Sequence, residues 1–133
     1  MSNYATENLR TLALVGHGSC GKTTLIEAML YRAGMIPEMG SIQRGTTMCD
    51  NDLLEKEVGH SIRLAVAHID TAMTDLTPVR IHILDTPGYP DYLGQDMSAL
   101  DAVKSVCAVI DPTKGPELLT RRLMAMAKER GLC

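Results

Sequence analysis

The apolar positions of this chain come in short runs whose period changes along its length. Residues 11–15, Thr-Leu-Ala-Leu-Val, run without a charge and stop at Gly16, as a strand buried on both faces does. From Lys22 the period becomes helical. Leu25, Ile26, Met29, Leu30 and Ala33 fall on one stripe, and Gly34 is placed to end the helix. Residues 34–60 are rich in Gly, Thr, Asp, Asn and Glu and hold no sustained period beyond a short helical turn around Asn51 to Glu57. They predict a long mobile loop, and connections of such length in a compact domain are usually functional or disordered. Ile62, Leu64, Val66 and His68 alternate with Arg63, Ala65 and Ala67, which predicts a second strand, and Val79 to Leu84 is a third that ends at Asp85. The connection across Asp75 to Pro78 is short enough for an antiparallel hairpin.

Past Gly88, Pro90 suits a first helical turn, and Leu93, Met97 and Leu100 recur at i, i+4 and i+7. Ser105 to Ile110 predicts a fourth strand. Pro116 opens a last helix with Leu119, Leu123 and Met126 on one face and Gly131 at its end. Strands alternating with helices predict an α/β layer fold with a mostly parallel sheet and right-handed crossovers.

Composition narrows the function. A chain of 133 residues suits one domain. Nothing near the N-terminus has the order of a secretory signal, and no apolar run approaches the ~20 residues of a membrane span. These features predict a cytosolic protein without membrane contact. The four cysteines, Cys20, Cys49, Cys107 and Cys133, form no C-x-x-C pair, so reduced thiols are expected and no transition-metal site is. A net charge of -3 without a long basic run removes the electrostatic footprint of a chain that binds nucleic acid by itself. Phe and Trp are absent, which leaves few platforms for stacking bases.

The candidate chemistry lies where runs meet turns. Gly16-His17-Gly18-Ser19-Cys20-Gly21-Lys22-Thr23 fits G-x-x-x-x-G-K-[ST], a P-loop whose backbone N–H groups turn inward around phosphate oxygens at the positive end of the following helix. The stretch from Gly16 to Thr24 is therefore the candidate nucleotide cradle. Lys22 is expected to reach the β and γ phosphates and the Thr23 hydroxyl to ligate Mg²⁺. Asp85, at the end of an apolar run, stands where a carboxylate can hold the hydration shell of the metal. Gly88 in Thr86-Pro87-Gly88 lets a backbone N–H approach a γ-phosphate closely and move when that phosphate leaves. A glycine-rich turn before a helix, and an Asp-containing turn after a strand, are the alternatives for each motif alone.

Together these motifs resemble the start of the GTP-binding domain of translational GTPases, in particular elongation factor G and its paralogues. The resemblance runs from Asn8 to Leu132. It is carried by Leu14-Val15-Gly16-His17-Gly18, Gly21-Lys22-Thr23-Thr24-Leu25, Gly45-Thr46-Thr47, Asp50, Glu55-Lys56-Glu57, Gly59, Ser61-Ile62, Asp85-Thr86-Pro87-Gly88-Tyr89 and Asp91. It implies a three-layer P-loop NTPase fold with strand order 2-3-1-4. It also implies GTP and GDP as substrate and product, Mg²⁺ held at Thr23, Ser61 and Asp85, and a ribosome that docks the full-length protein and accelerates hydrolysis. Residues 34–60 resemble switch I, with Ser61 in place of the family's metal-ligating threonine, and residues 85–93 resemble switch II. Lys22, Gly88 and Tyr89 are the implied catalytic positions.

The chain departs from the family at several of these positions. Val58 and His60 stand where the family carries Arg and Ile, and Ser19-Cys20 stand where many elongation factors have Asp-Ala. Tyr89 replaces the histidine that orients the attacking water. These departures suggest a divergent paralogue, and they keep a second reading open: a P-loop switch or ATPase without efficient GTP hydrolysis. The guanine-selecting Asn-Lys-x-Asp segment does not occur in the 133 residues. The chain is thus expected to be a truncated GTP-binding domain, weak or inactive by itself, whose fourth strand has an edge open to self-association.

Overall fold

The computed structural model describes residues 4–49 and 53–133. Asp50 lies outside them. Four strands, β1 (Leu9–Val15), β2 (Ala65–Ala72), β3 (Pro78–Asp85) and β4 (Ser105–Ala108), form one sheet in the order β2-β3-β1-β4. β1 pairs in parallel with β3 and β4, and β2 pairs antiparallel with β3 as a hairpin, so the expected strand order and the antiparallel connection are both found. Helices α1 (Lys22–Arg32), α2 (Leu53–Val58), α3 (Leu93–Ala102) and α4 (Leu118–Glu129) complete the fold. Single 3₁₀ turns at Thr6–Asn8, Ile42–Arg44 and Pro90–Tyr92 lie between these elements. Among the described residues, no helix is long and apolar enough to cross a membrane.

The sheet has an apolar layer on each side, which is why its central strands read as uninterrupted apolar runs. On one side Ala13, Val15 and Leu84 pack with Ala99, Leu100 and Val103 and with Leu119, Leu123 and Ala127 of α4. On the other, Leu14 and Ile83 pack with Ile26 and Leu30 of α1 and with Ala67 and Ile69 of β2. Consecutive residues of one strand thus serve opposite cores.

Three expectations are corrected in detail. The second strand begins at Ala65 rather than Ile62, and its inward face is Ala67 and Ile69, while Val66 is 65% exposed. The amides before it are held by side chains instead of a ladder: Ile62 N and Arg63 N donate to Glu55 Oε1 at 2.9 Å each, and Leu64 N donates to Gln95 Oε1. In α3 the buried positions are Asp96, Ala99 and Leu100, and Met97 faces solvent. The edge of β4, expected to be open, is engaged by Cys133, whose carbonyl accepts from Val106 N at 2.7 Å and whose N–H donates to Lys104 O at 3.3 Å. That two-bond pattern is one step of a parallel ladder.

The face assignment of β2 predicts opposite outcomes for two substitutions followed by equilibrium urea unfolding. Ile69→Ala is expected to cost about 2–5 kcal/mol. Val66→Thr, which keeps the branched shape on the solvent side, is expected to stay within ~0.5 kcal/mol.

Candidate functional site: a P-loop facing the end of the third strand

The site forms because β1 and β3 end side by side. Their register pairs Leu14 with Asp85, so the loop leaving β1 and the turn leaving β3 emerge at the same level. Thr86, fully buried, donates its hydroxyl proton to Leu14 O at 2.9 Å and fixes that alignment. The C-terminal ends of parallel strands are where α/β sheets place ligands.

Lys22 opens α1, and its side chain folds back so that only 5% of it is exposed. Its ammonium donates to Gly16 O at 3.1 Å and His17 O at 2.9 Å, with Cys20 Sγ at 3.9 Å. A Cβ on Gly88 would overlap both Lys22 Nζ and Gly16 O, and Gly88 adopts φ +79°. Only glycine permits that approach. The sequence-predicted Gly16, Lys22 and Gly88 are therefore in mutual contact.

One residue further along α1, the Thr23 hydroxyl donates to Asp85 Oδ2 at 2.6 Å and lies 3.2 Å from Ser61 Oγ. Two hydroxyls and a carboxylate, with Ser61 and Asp85 lying 38 and 62 residues beyond Thr23 in sequence, converge at one buried point. This set of hard oxygen donors fits Mg²⁺, which takes few protein ligands and completes its shell with water and substrate phosphate. A cavity of about 250 Å³ opens beside it, bordered by Ser19, Gly21, Lys22, Thr23, Thr24 and Ser61 among others. His17 is different: its Nδ1 turns toward Glu117 Oε2, 3.2 Å away, and joins the loop to the segment before α4.

Tyr89 lies across the mouth of the loop. Its hydroxyl is 3.3 Å from Ser19 Oγ, and a Cβ on Gly18 would stand 2.5 Å from Tyr89 Cε2 and closer still to Cζ. The ring of His60 stacks against it at 4.5 Å between centroids, tilted by 40°.

Sequence reasoning missed the side chains that hold the segment from Met35 to Leu64. Glu27, 1% exposed on α1, accepts from Gly40 N at 2.9 Å and from Met48 N. Glu55 on α2 accepts from Ile62 and Arg63 as described above, and Gln95 Nε2 donates to Ile62 O at 3.1 Å while its oxygen accepts from Leu64 N. Hydrogen bonds to charged groups contribute ~1.5–3 kcal/mol each. A charged residue inside the apolar stripe of a helix, as Glu27 is between Ile26 and Leu30, was the available signal.

Asp96 was missed as well. It is fully buried on α3, and neither carboxylate oxygen has a hydrogen-bond partner among the described residues. Burial pushes its pKa up, opposed by the nearby Thr86 hydroxyl, the Lys22 charge and the Gly88 N–H.

The comparisons with known proteins agree with this geometry. The model of the elongation factor Tu GTP binding domain matches residues 7–133. The chain belongs to that family. It is 34% identical over 121 residues to the tetracycline resistance protein TetM from transposon Tn1545 of Enterococcus faecalis, covering 91% of this chain and 18% of that protein. It is 35% identical over 127 residues to peptide chain release factor 3 of Streptococcus uberis, covering 92% of this chain and 24% of that protein. Among solved structures, a protein from Thermus thermophilus superposes with a TM-score of 0.84 at 35% identity, over 92% of this chain and 18% of that one. A bacterial selenocysteine-specific elongation factor, EF-Sec, superposes with a TM-score of 0.71 at 25% identity, again over 92% and 18%. The chain thus spans about a fifth of the length of these relatives.

The orphaned carboxyl of this GTP-binding domain gives a prediction in pH. The folded pKa of Asp96 is raised above its unfolded value, so its contribution to stability is full below the ordinary carboxylate range and is lost as pH rises through the raised value. Asp96→Asn is expected to raise the thermal midpoint at neutral pH, with the gain vanishing toward acid pH. Scanning calorimetry of both forms across pH checks this, and a gain that is the same at every pH would contradict the assignment.

Proposed function

We propose that this chain binds GTP and GDP with Mg²⁺ and hydrolyses GTP as part of a longer, cytoplasmic, elongation factor G-like protein that acts on the ribosome. The observation that carries the reading is the meeting of three separate segments at the ends of β1 and β3: Lys22, Thr23 and Ser61 border one cavity, Asp85 accepts from Thr23, and Gly88 lies against Lys22. Family membership and the names of its relatives, a release factor and a selenocysteine-specific elongation factor, support the ribosome as partner.

In this reading residues 1–133 are the first part of the GTP-binding domain, and the phosphate cradle comes from Gly16 to Thr24. Lys22 neutralises β and γ phosphate charge, and the Gly88 N–H contacts the γ-phosphate. The Thr23 and Ser61 hydroxyls would hold Mg²⁺, with Asp85 accepting from its waters; the metal supplies charge neutralisation between the phosphates. Base selection belongs to the Asn-Lys-x-Asp segment, which these residues lack.

A second reading, a nucleotide-binding switch with little hydrolysis, is favoured by one observation: Tyr89 rather than histidine follows Gly88 and closes over Gly18. Titrating the natural protein with GTP, GDP and ATP in Mg²⁺ is expected to give a preference for guanine nucleotides. Equal affinity for ATP would reject the GTPase reading. Lys22→Ala is expected to weaken triphosphate binding by ~100-fold or more, since it removes a charge-assisted contact worth about 2–3 kcal/mol or greater in a dry site.

A further inference from the structure

The residue after Gly88 is poorly suited to hold an attacking water. The Tyr89 hydroxyl lies at the P-loop beside Ser19 Oγ, 3.3 Å away, and its ring is seated on Gly18. The imidazole stacked on that ring is better placed. His60 borders the same cavity as Lys22, Thr23 and Ser61, and it precedes Ser61, whose hydroxyl reaches Thr23. Its Nδ1 lies 3.4 Å from Ser61 O. A carbonyl can only accept, so Nδ1 is the nitrogen that donates in this contact, and Nε2 is the ring nitrogen left to face a water. A ring held on one face by Tyr89 and at one nitrogen by the Ser61 carbonyl is oriented before any substrate arrives.

We propose that His60, rather than the residue at position 89, accepts the hydrogen bond that orients the hydrolytic water, with Tyr89 as the wall that positions the His60 ring. The inference rests on the GTPase reading above. In the step itself the water oxygen donates an electron pair to the γ-phosphorus. The bond from that phosphorus to the β–γ bridging oxygen breaks, and its electron pair leaves on GDP. One water proton stays on the new P–OH and the other passes to a γ-phosphate oxygen, giving inorganic phosphate. His60 Nε2 aims the water's lone pair and keeps no proton at the end. Gly18 belongs to the device, because any side chain there would displace the Tyr89 ring and with it the surface that His60 leans on.

The test uses the natural full-length protein with ribosomes, in single-turnover GTP hydrolysis, beside equilibrium binding of GDP. His60→Ala is expected to slow hydrolysis by ~100-fold or more, the scale for losing the group that positions the reacting water, while GDP binds as before. His60→Gln, whose amide oxygen can accept from water, is expected to recover part of the loss. Adding Tyr89→His to His60→Ala is expected to recover most of it by placing an imidazole on the other side of the site. Turnover of His60→Ala within about twofold of the natural protein overturns the proposal and leaves the GTPase reading standing. Loss of GDP affinity in step with turnover, or failure of both rescues, also overturns it, in favour of a structural role. A natural protein that binds guanine nucleotides but does not hydrolyse GTP with ribosomes overturns the hydrolytic reading and this inference together.

Discussion

The parallel pairing of β1 with β3 is the constraint on which the rest of this structure depends. Because Leu14 sits opposite Asp85, the two strands end at one level and their following turns meet, Gly88 against Lys22 and Gly16. A slip of one residue would turn Asp85 into an apolar layer and send Thr86 away from the Leu14 carbonyl, since side chains alternate faces. Both apolar layers guard against that slip. Ala13 and Val15 fit the α3 and α4 side while Leu14 fits the α1 side, and β3 repeats the arrangement with Ile83 and Leu84. Packing energy spread over two cores is thereby converted into the placement of a few polar atoms.

The segment between α1 and β2 is held by a different principle. Among its described residues, the N–H groups of Gly40, Met48, Ile62, Arg63 and Leu64 are taken by Glu27, Glu55 and Gln95, each reaching from a helix. A ladder of backbone bonds forms and breaks cooperatively, whereas separate side-chain clamps can be exchanged one at a time for other acceptors. Phosphate oxygens are such acceptors. A loop fastened in this way is held to the helices independently of the sheet's own ladder.

Much of this was legible in the sequence, for identifiable reasons. The glycines at 16, 18 and 88 mark places where backbone must approach something closely, and uninterrupted apolar runs mark strands covered on both sides. The chain order of strand, P-loop and helix therefore gave the site before any geometry was known. What was illegible depended on small and charged residues. Ala67 faces a core and Val66 does not, because β2 lies against α1 and a small side chain fits there; hydrophobicity alone ranks the two the other way. The strand starts late because Glu55 and Gln95 capture the amides of residues 62–64, a contact between segments distant in sequence. Asp96 could not be anticipated from a stripe defined by apolar residues, since it occupies a position that such a stripe assigns to hydrocarbon.

The departures from the family pattern also make sense together rather than singly. A tyrosine after Gly88 is larger than the histidine the resemblance leads one to expect, and the space it occupies is the space left by a missing side chain at Gly18. With the ring lying there, position 60 borders both an aromatic face and the cavity, which suits an imidazole better than an aliphatic group. Ser19, in the left-handed region at φ +61°, brings its hydroxyl to the Tyr89 phenol, a short-range compensation for local strain. Three departures in three segments, Ser19, His60 and Tyr89, thus meet beside Gly18, a position the resemblance includes. Around them Lys22 keeps its contact with Gly88, and Thr23 its hydrogen bond to Asp85.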